Sequence, residues 1–191
     1  MRKIILLAHI SLDSFVAWPN GQLDGFDPSE ENLQFVCSLT KNADAALFGR
    51  VSYALLNDYW PTAAFLPDAT AGMIAFSNWY NNAQKMVISK TLADTGTDKI
   101  TIINNDVIKG ITKIKQQTGK DILIFGSPSV SQMLIQAGLI DNYWIFINPV
   151  IFGKGISLFN GTINNIKLKL ESTRQFSNGE FGLYYKHIKG N

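Results

Sequence analysis

The sequence predicts an α/β fold built on one mixed sheet flanked by helices. Three observations carry that prediction. The first two-thirds of the 191-residue chain alternates short apolar runs with helix-period segments, the pattern of βα units on a parallel sheet. The last third alternates apolar and polar residues on either side of Asn178-Gly179, and Asn-Gly is the strongest short hairpin signal. Hydrophobic residues make up 46% of the chain and charged residues 17%, too apolar and too weakly charged for disorder.

The elements follow in order. Residues 3–10 are an apolar run without helical period, hence a buried strand. Asp27-Pro28-Ser29-Glu30 starts a helix: Asp27 caps, Pro28 takes the first helical position and Glu30 reaches back. Leu33, Val36, Cys37 and Thr40 then share a face. Residues 43–48 form a second strand ending at Gly49, and a short helix spans residues 50–56. Residues 60–67 are a loop and 68–81 a helix. Residues 85–88 and 99–103 are the third and fourth strands. Asp106 caps a helix that Gly119 ends, and residues 121–125 are the fifth strand. In the next helix Val130, Met133, Leu134 and Ala137 fall on one face, and Gly138 stops it. Residues 141–150 are a long strand with two apolar faces, so it is central in the sheet or lies at a subunit contact. Residues 166–176 and 181–188 pair as the hairpin.

Composition narrows the function. Length fits one domain over residues 1–191. Net charge is +2 with no basic cluster, which argues against a nucleic-acid partner. One cysteine (Cys37) forbids an internal disulfide and fits a reducing compartment. Only two histidines, His9 and His187, argue against a Cys/His metal site. No G-x-S-x-G elbow marks a hydrolase. The apolar run at residues 4–8 is shorter than a signal peptide's core, and nothing approaches a membrane span. A cytoplasmic protein without a membrane partner is expected.

Three strand ends carry candidate chemistry. At Phe125-Gly126-Ser127-Pro128-Ser129-Val130 a strand ends in glycine and a helix begins at once. The N–H groups of Ser129 and Val130 then face an anion, with the helix dipole behind them. The same residues also read as a plain capped helix start, Ser127 capping and Gly126 turning. Gly49-Arg50 places a guanidinium at a second strand-to-helix junction, suited to bidentate phosphate contacts. Ser89-Lys90 offers a hydroxyl and an ammonium after the third strand. Together the three suggest a phosphorylated ligand along the C-terminal edge of the sheet. They do not match the G-x-G-x-x-G dinucleotide fingerprint. Gly153-Lys154-Gly155 reads as a tight turn able to approach a ligand.

In this order the motifs resemble the dihydrofolate reductase-like family, which includes the C-terminal reductase domain of bacterial riboflavin-biosynthesis enzymes. Ser11-Leu12-Asp13-Ser14-Phe15-Val16-Ala17 is similar to its SLDGFIA opening. Gly49-Arg50-Val51-Ser52-Tyr53 resembles its GRxTY turn, and Val87-Ile88-Ser89-Lys90-Thr91-Leu92 its VSRTL strand end. The stretches from Gly126 to Asp141 and from Pro149 to Phe159 resemble its longest signature. The likeness covers about residues 3–188. The chain departs from the pattern at Ser127, where many members have a second glycine, at Ser52 and at Asn142.

The resemblance implies a three-layer α/β/α sandwich, NADPH as hydride donor and a homodimer. It places Gly49 and Arg50 on the cofactor phosphates, Ser89 and Lys90 on the 2′-phosphate, and Gly126, Ser127, Ser129 and Val130 on the pyrophosphate. Ala8 and the loop from Ala17 to Gly21 match the segment over the nicotinamide. Trp18 and Phe35 are candidate walls for a small-molecule substrate that is pterin-, pyrimidine- or sugar-like. The proton comes from Asp13 or through ordered water; no acid is identified on the first helix, where Glu30, Glu31, Leu33 and Gln34 stand. The alternative is a non-catalytic nucleotide-binding protein that kept the cofactor edge.

Overall fold

The structure, a computed structural model, describes residues 1–27, 29–93, 96–159 and 165–188. Its helices are α1 (Glu30–Thr40), α2 (Arg50–Tyr59), α3 (Ala71–Asn82), α4 (Val107–Gln116) and α5 (Pro128–Gln136). Its strands are β1 (Ile4–Ile10), β2 (Phe15–Ala17), β3 (Ala43–Gly49), β4 (Gln84–Ile88), β5 (Ile100–Ile103), β6 (Asp121–Phe125), β7 (Asn142–Ile147), β8 (Ile156–Ser157), β9 (Leu168–Gln175) and β10 (Phe181–His187). Eight strands form one mixed sheet in the order β5-β4-β3-β6-β1-β7-β10-β9, and β2 pairs with β8 apart from it. The α/β class, the mixed sheet and the antiparallel hairpin agree with the sequence expectation.

The chain divides into two compact units. The first comprises residues 1–3 and 29–125. Here β3 pairs in parallel with β4 and β6, and β4 with β5. Ala45, Ala46, Leu47 and Phe48 are all 0% exposed, as a strand covered on both faces must be. Phe48 packs among Tyr53, Tyr80 and Phe125, and Phe76 and Trp79 extend that aromatic core. Helix α1 packs on α3.

The second unit comprises residues 4–28 and 126–191. Strand β7 lies parallel to β1 and antiparallel to β10, and β10 pairs antiparallel with β9. Both faces of β7 are buried because it is central, which decides the alternative left open by its two apolar faces. Every residue of β9 is exposed, and its Lys169, Glu171 and Arg174 put charge on a sheet edge.

Several local expectations change. The cap of α1 is Ser29, whose hydroxyl accepts from Asn32 N at 3.1 Å, and not Asp27; Pro28 lies outside the described residues. Glu30 does not reach back to its own helix start. It accepts from Thr70 Oγ1 and from Gly72 N at 2.9 Å, so it joins α1 to the start of α3. Asp106 occupies the cap of α4 with φ 44° and makes no side-chain cap bond. Ala137 lies past the end of α5 and is exposed, so the buried face is Val130, Ser131, Leu134 and Ile135. A 3₁₀ turn, Ala63–Phe65, lies within the expected loop. Strand β7 stops at Ile147, before Asn148-Pro149, because proline has no N–H to continue a ladder.

Candidate active site

In the first unit, the ends of β3 and β4 lie side by side. Gly49 stands opposite Ile88 in parallel register, about 4.8 Å away, and Arg50 and Ser89 follow these two adjacent strand ends. Gly49 is the N-cap of α2 and carries no side chain to cap it. Arg50 opens that helix and is exposed. Ser89 is 8% exposed. Its Oγ accepts from Thr91 N at 3.2 Å and Leu92 N at 2.9 Å, so it shapes its own loop. The group facing outward there is Lys90, which is exposed. The two strand ends thus offer two solvent-facing cations beside a helix start.

Helix α1 brings Phe35, half-buried, and Asn32, which is 4% exposed. The Asn32 Nδ2 has no hydrogen-bond partner among the described residues. Glu30 is committed elsewhere: the Thr70 hydroxyl, with Gln34 and Gly72 N, holds its carboxyl below the usual range.

In the second unit the turn after β6 lies against β1. Gly126 N donates to Leu7 O at 2.8 Å. Gly126 (φ +58°) and Ser127 (φ +47°) are successive left-handed residues, a conformation that costs a serine about 1–2 kcal/mol. Ser131 holds the turn, donating from Oγ to Gly126 O at 2.6 Å and from N to Ser127 O at 2.9 Å. A Cβ built on Gly126 would meet nothing within 4 Å, so the approach to its backbone is open. Ser127 gives α5 no side-chain cap, and Pro128 has no N–H. The helix's own geometry leaves the N–H groups of Ser129 and Val130 without intrahelical acceptors.

Asp13 is a clamp. Its carboxylate accepts from Ser11 Oγ at 2.6 Å, Phe152 N at 3.1 Å and Gly153 N at 2.7 Å. The Ser11 hydroxyl, with those backbone donors, holds its carboxyl below the ordinary value against a smaller opposing effect of burial. Ala17 is buried in β2, opposite Ile156 of β8. A Cβ on Gly155 would meet Ala17 O at 2.4 Å, so the second glycine of Gly153-Lys154-Gly155 is explained by backbone packing. Gly21 closes a turn by donating to Trp18 O at 2.9 Å. Trp18 stacks on Phe152 with centroids 4.2 Å apart, which covers one of its faces.

Ala8 is 1% exposed, so its side chain is core. The next residue, His9, faces the other side of β1 and was not among the sequence candidates. Its ring stacks on Phe146 at 4.7 Å, and its Nδ1 lies 2.7 Å from Glu180 Oε1. The His9 side chain is 42% exposed and that of Glu180 1%. Glu180 Oε1 has no hydrogen-bond partner among the described residues, so the His9 ring is its near neighbour without hydrogen-bond geometry. The only sequence signal for this pair was one polar residue inside an apolar strand. Glu180 is 171 positions away, and only the order β1-β7-β10 brings it there.

The mixed eight-stranded sheet with its flanking helices and C-terminal antiparallel strands defines an α/β fold of the dihydrofolate reductase-like kind. The model of the RibD C-terminal domain matches residues 2–180, and the chain belongs to that family. It is 31% identical over 186 residues to the uncharacterized protein YyaP of Bacillus subtilis (strain 168), covering 96% of this chain and 94% of that one. A putative riboflavin biosynthesis protein from Shewanella sp. PV-4 has the same fold, with TM-score 0.75, 19% identity and 98% and 99% of the two chains covered. So does the dihydrofolate reductase of Enterococcus faecalis, solved in complex with NADP(H), with TM-score 0.66, 12% identity and 98% and 97% covered.

Proposed function

We propose that the chain is an NADPH-dependent reductase that passes hydride to a C=N or C=O group of a pterin-, pyrimidine- or sugar-like small molecule. The observation that carries this reading is the Gly126-Ser127 turn. Two left-handed residues open a helix start that has no side-chain cap, and a Cβ on Gly126 would meet nothing within 4 Å among the described residues. A serine held in that strained conformation is a reason to look for function there. Such a turn fits a pyrophosphate, with Ser129 and Val130 donating. Gly49 and Arg50 take phosphate oxygens, and Lys90, presented by the Ser89 loop, takes the 2′-phosphate. Ala8 fixes the strand, while Ala17 and Gly21 fix the loop, that would face the nicotinamide.

The bound cofactor supplies the hydride; the chain binds, orients and excludes water. Asp13 is assigned a positioning role, keeping Phe152 and Gly153 in place beneath Trp18. Trp18 and Phe35 are assigned to the substrate's apolar faces. Residues 1–191 act as one domain in this reading, consistent with a family match running from residue 2 to 180. A homodimer is also proposed, supported by Leu168 and Leu170, which lie exposed on one face of β9. Light scattering should find twice the monomer mass.

The test is fluorescence titration with NADPH, followed by NADPH-oxidation assays with dihydrofolate, dihydrobiopterin and ribosylated aminopyrimidines. Binding with oxidation by at least one acceptor is the expected result. Binding without any oxidation would select the non-catalytic nucleotide-binding reading.

A further inference from the structure

We infer that His9, held by the buried carboxylate of Glu180, donates the proton that accompanies hydride transfer. This rests on the reductase reading above and assigns the group that the sequence left open. Two of the acids considered from sequence are already committed. Glu30 caps the start of α3, and Asp13 holds Phe152 and Gly153. Both are held toward their ionised forms, the wrong direction for a donor.

The geometry around His9 is that of an acid–base group. A carboxylate as buried as Glu180 needs a partner; its Oε1 has no hydrogen bond among the described residues, and the His9 Nδ1 stands against it at 2.7 Å. That contact and the stack on Phe146 fix the ring plane. No described residue hydrogen-bonds Nε2, and the ring is 42% exposed. The pair also lies beside the candidate cofactor turn. Gly126 N is bonded to Leu7 O. His9 is two residues further along β1, on the same face, about 6.6 Å on. A dinucleotide whose pyrophosphate sits at Gly126 therefore has its reactive end within reach of this ring.

The step balances as follows. Bound NADPH would supply the hydride, whose electron pair would leave the nicotinamide C4–H bond and form a C–H bond at the carbon of the substrate's C=N or C=O group. The nitrogen or oxygen takes a proton from Nε2 of the His9 imidazolium. The cofactor ends oxidised, the substrate reduced and the imidazole neutral, with its Nδ1 proton still facing Glu180. Solvent reprotonates Nε2 through the exposed edge of the ring. The neighbours on β7 and β10 (Trp144, Phe146, Gly182 and Tyr184) carry no charge at neutral pH. The hairpin adds Arg174, whose guanidinium lies over the Phe176 ring at 5.2 Å.

The chain has two histidines, so the ring signals missing from a His9→Gln spectrum belong to His9. Saturating NADPH, with binding followed separately by fluorescence, should move those signals. His9→Gln should keep NADPH affinity within about threefold and lower single-turnover hydride transfer about 100-fold or more, the range of general acid catalysis. The wild-type rate should fall on the alkaline side, and that limb should vanish in His9→Gln. Glu180→Gln should lower the rate less and displace the limb. If NADPH binds but the His9 signals do not move, or His9→Gln keeps the wild-type rate and pH profile, the assignment is wrong while the reductase reading stands. No NADPH binding at all would overturn the reductase reading and this inference with it.

Discussion

At the scale of single residues, the chemistry of a side chain follows from what already holds it. Asp13 was legible in the sequence as part of a motif, but its work was not. Three donors from two loops surround it, and none of the three can be assigned from spacing alone. Because folding lowers its pKa, its contribution to stability is present above the unfolded value of about 3.9 and is lost as pH falls through the lower folded value. Asp13→Asn should therefore lower the melting temperature at pH 7, and it should flatten the loss of stability below about pH 4 in an acid titration. Equal acid melting of variant and wild type would refute the clamp. Ser89 teaches a similar lesson. A hydroxyl at a strand end is read from sequence as a ligand donor, yet here it satisfies Thr91 N and Leu92 N. Lys90 is left as the outward group.

At the scale of elements, helix and strand positions were largely legible and their caps were not. The period of Val36 and Thr40 identifies α1, but its cap is Ser29 and not the expected Asp27. Only backbone geometry decides between them. Gly155 packs flat on β2, and Gly155→Ala should cost about 1–3 kcal/mol in a denaturant titration, since the clash is with a carbonyl that cannot move freely. At the C-terminal end of α3, Lys85 is 5% exposed and donates to Tyr80 O and Ala83 O. Burial, with Lys99 nearby, pushes its ammonium down to about 8. The unfolded lysine holds its proton to about 10.4, so the unfolded chain binds more protons between the two values. Stability should rise with pH across that window. Urea midpoints at pH 8 and 9.5 should show the rise in wild type but not in Lys85→Met.

At the scale of the whole molecule, the sequence made the class of fold plain, because parallel and antiparallel segments have different hydrophobic periods. Strand order was not legible. Periodicity says which residues are strands, not which strands are neighbours, and so the pairing of β7 with both β1 and β10 came only with the structure. The same gap hid His9 and Glu180, which lie far apart in sequence and meet through that order. By contrast, the strand ends at Gly49, Ser89 and Gly126 are local features, each a strand followed at once by a glycine or a polar turn. The central claim is that these ends bind NADPH. Fluorescence titration of NADPH and NADH against wild type, Arg50→Ala and Lys90→Ala tests it most directly. The account predicts saturable NADPH binding below millimolar concentration, weakened by both substitutions more for NADPH than for NADH. Absence of NADPH binding at millimolar cofactor, or equal weakening for the two cofactors, would contradict it.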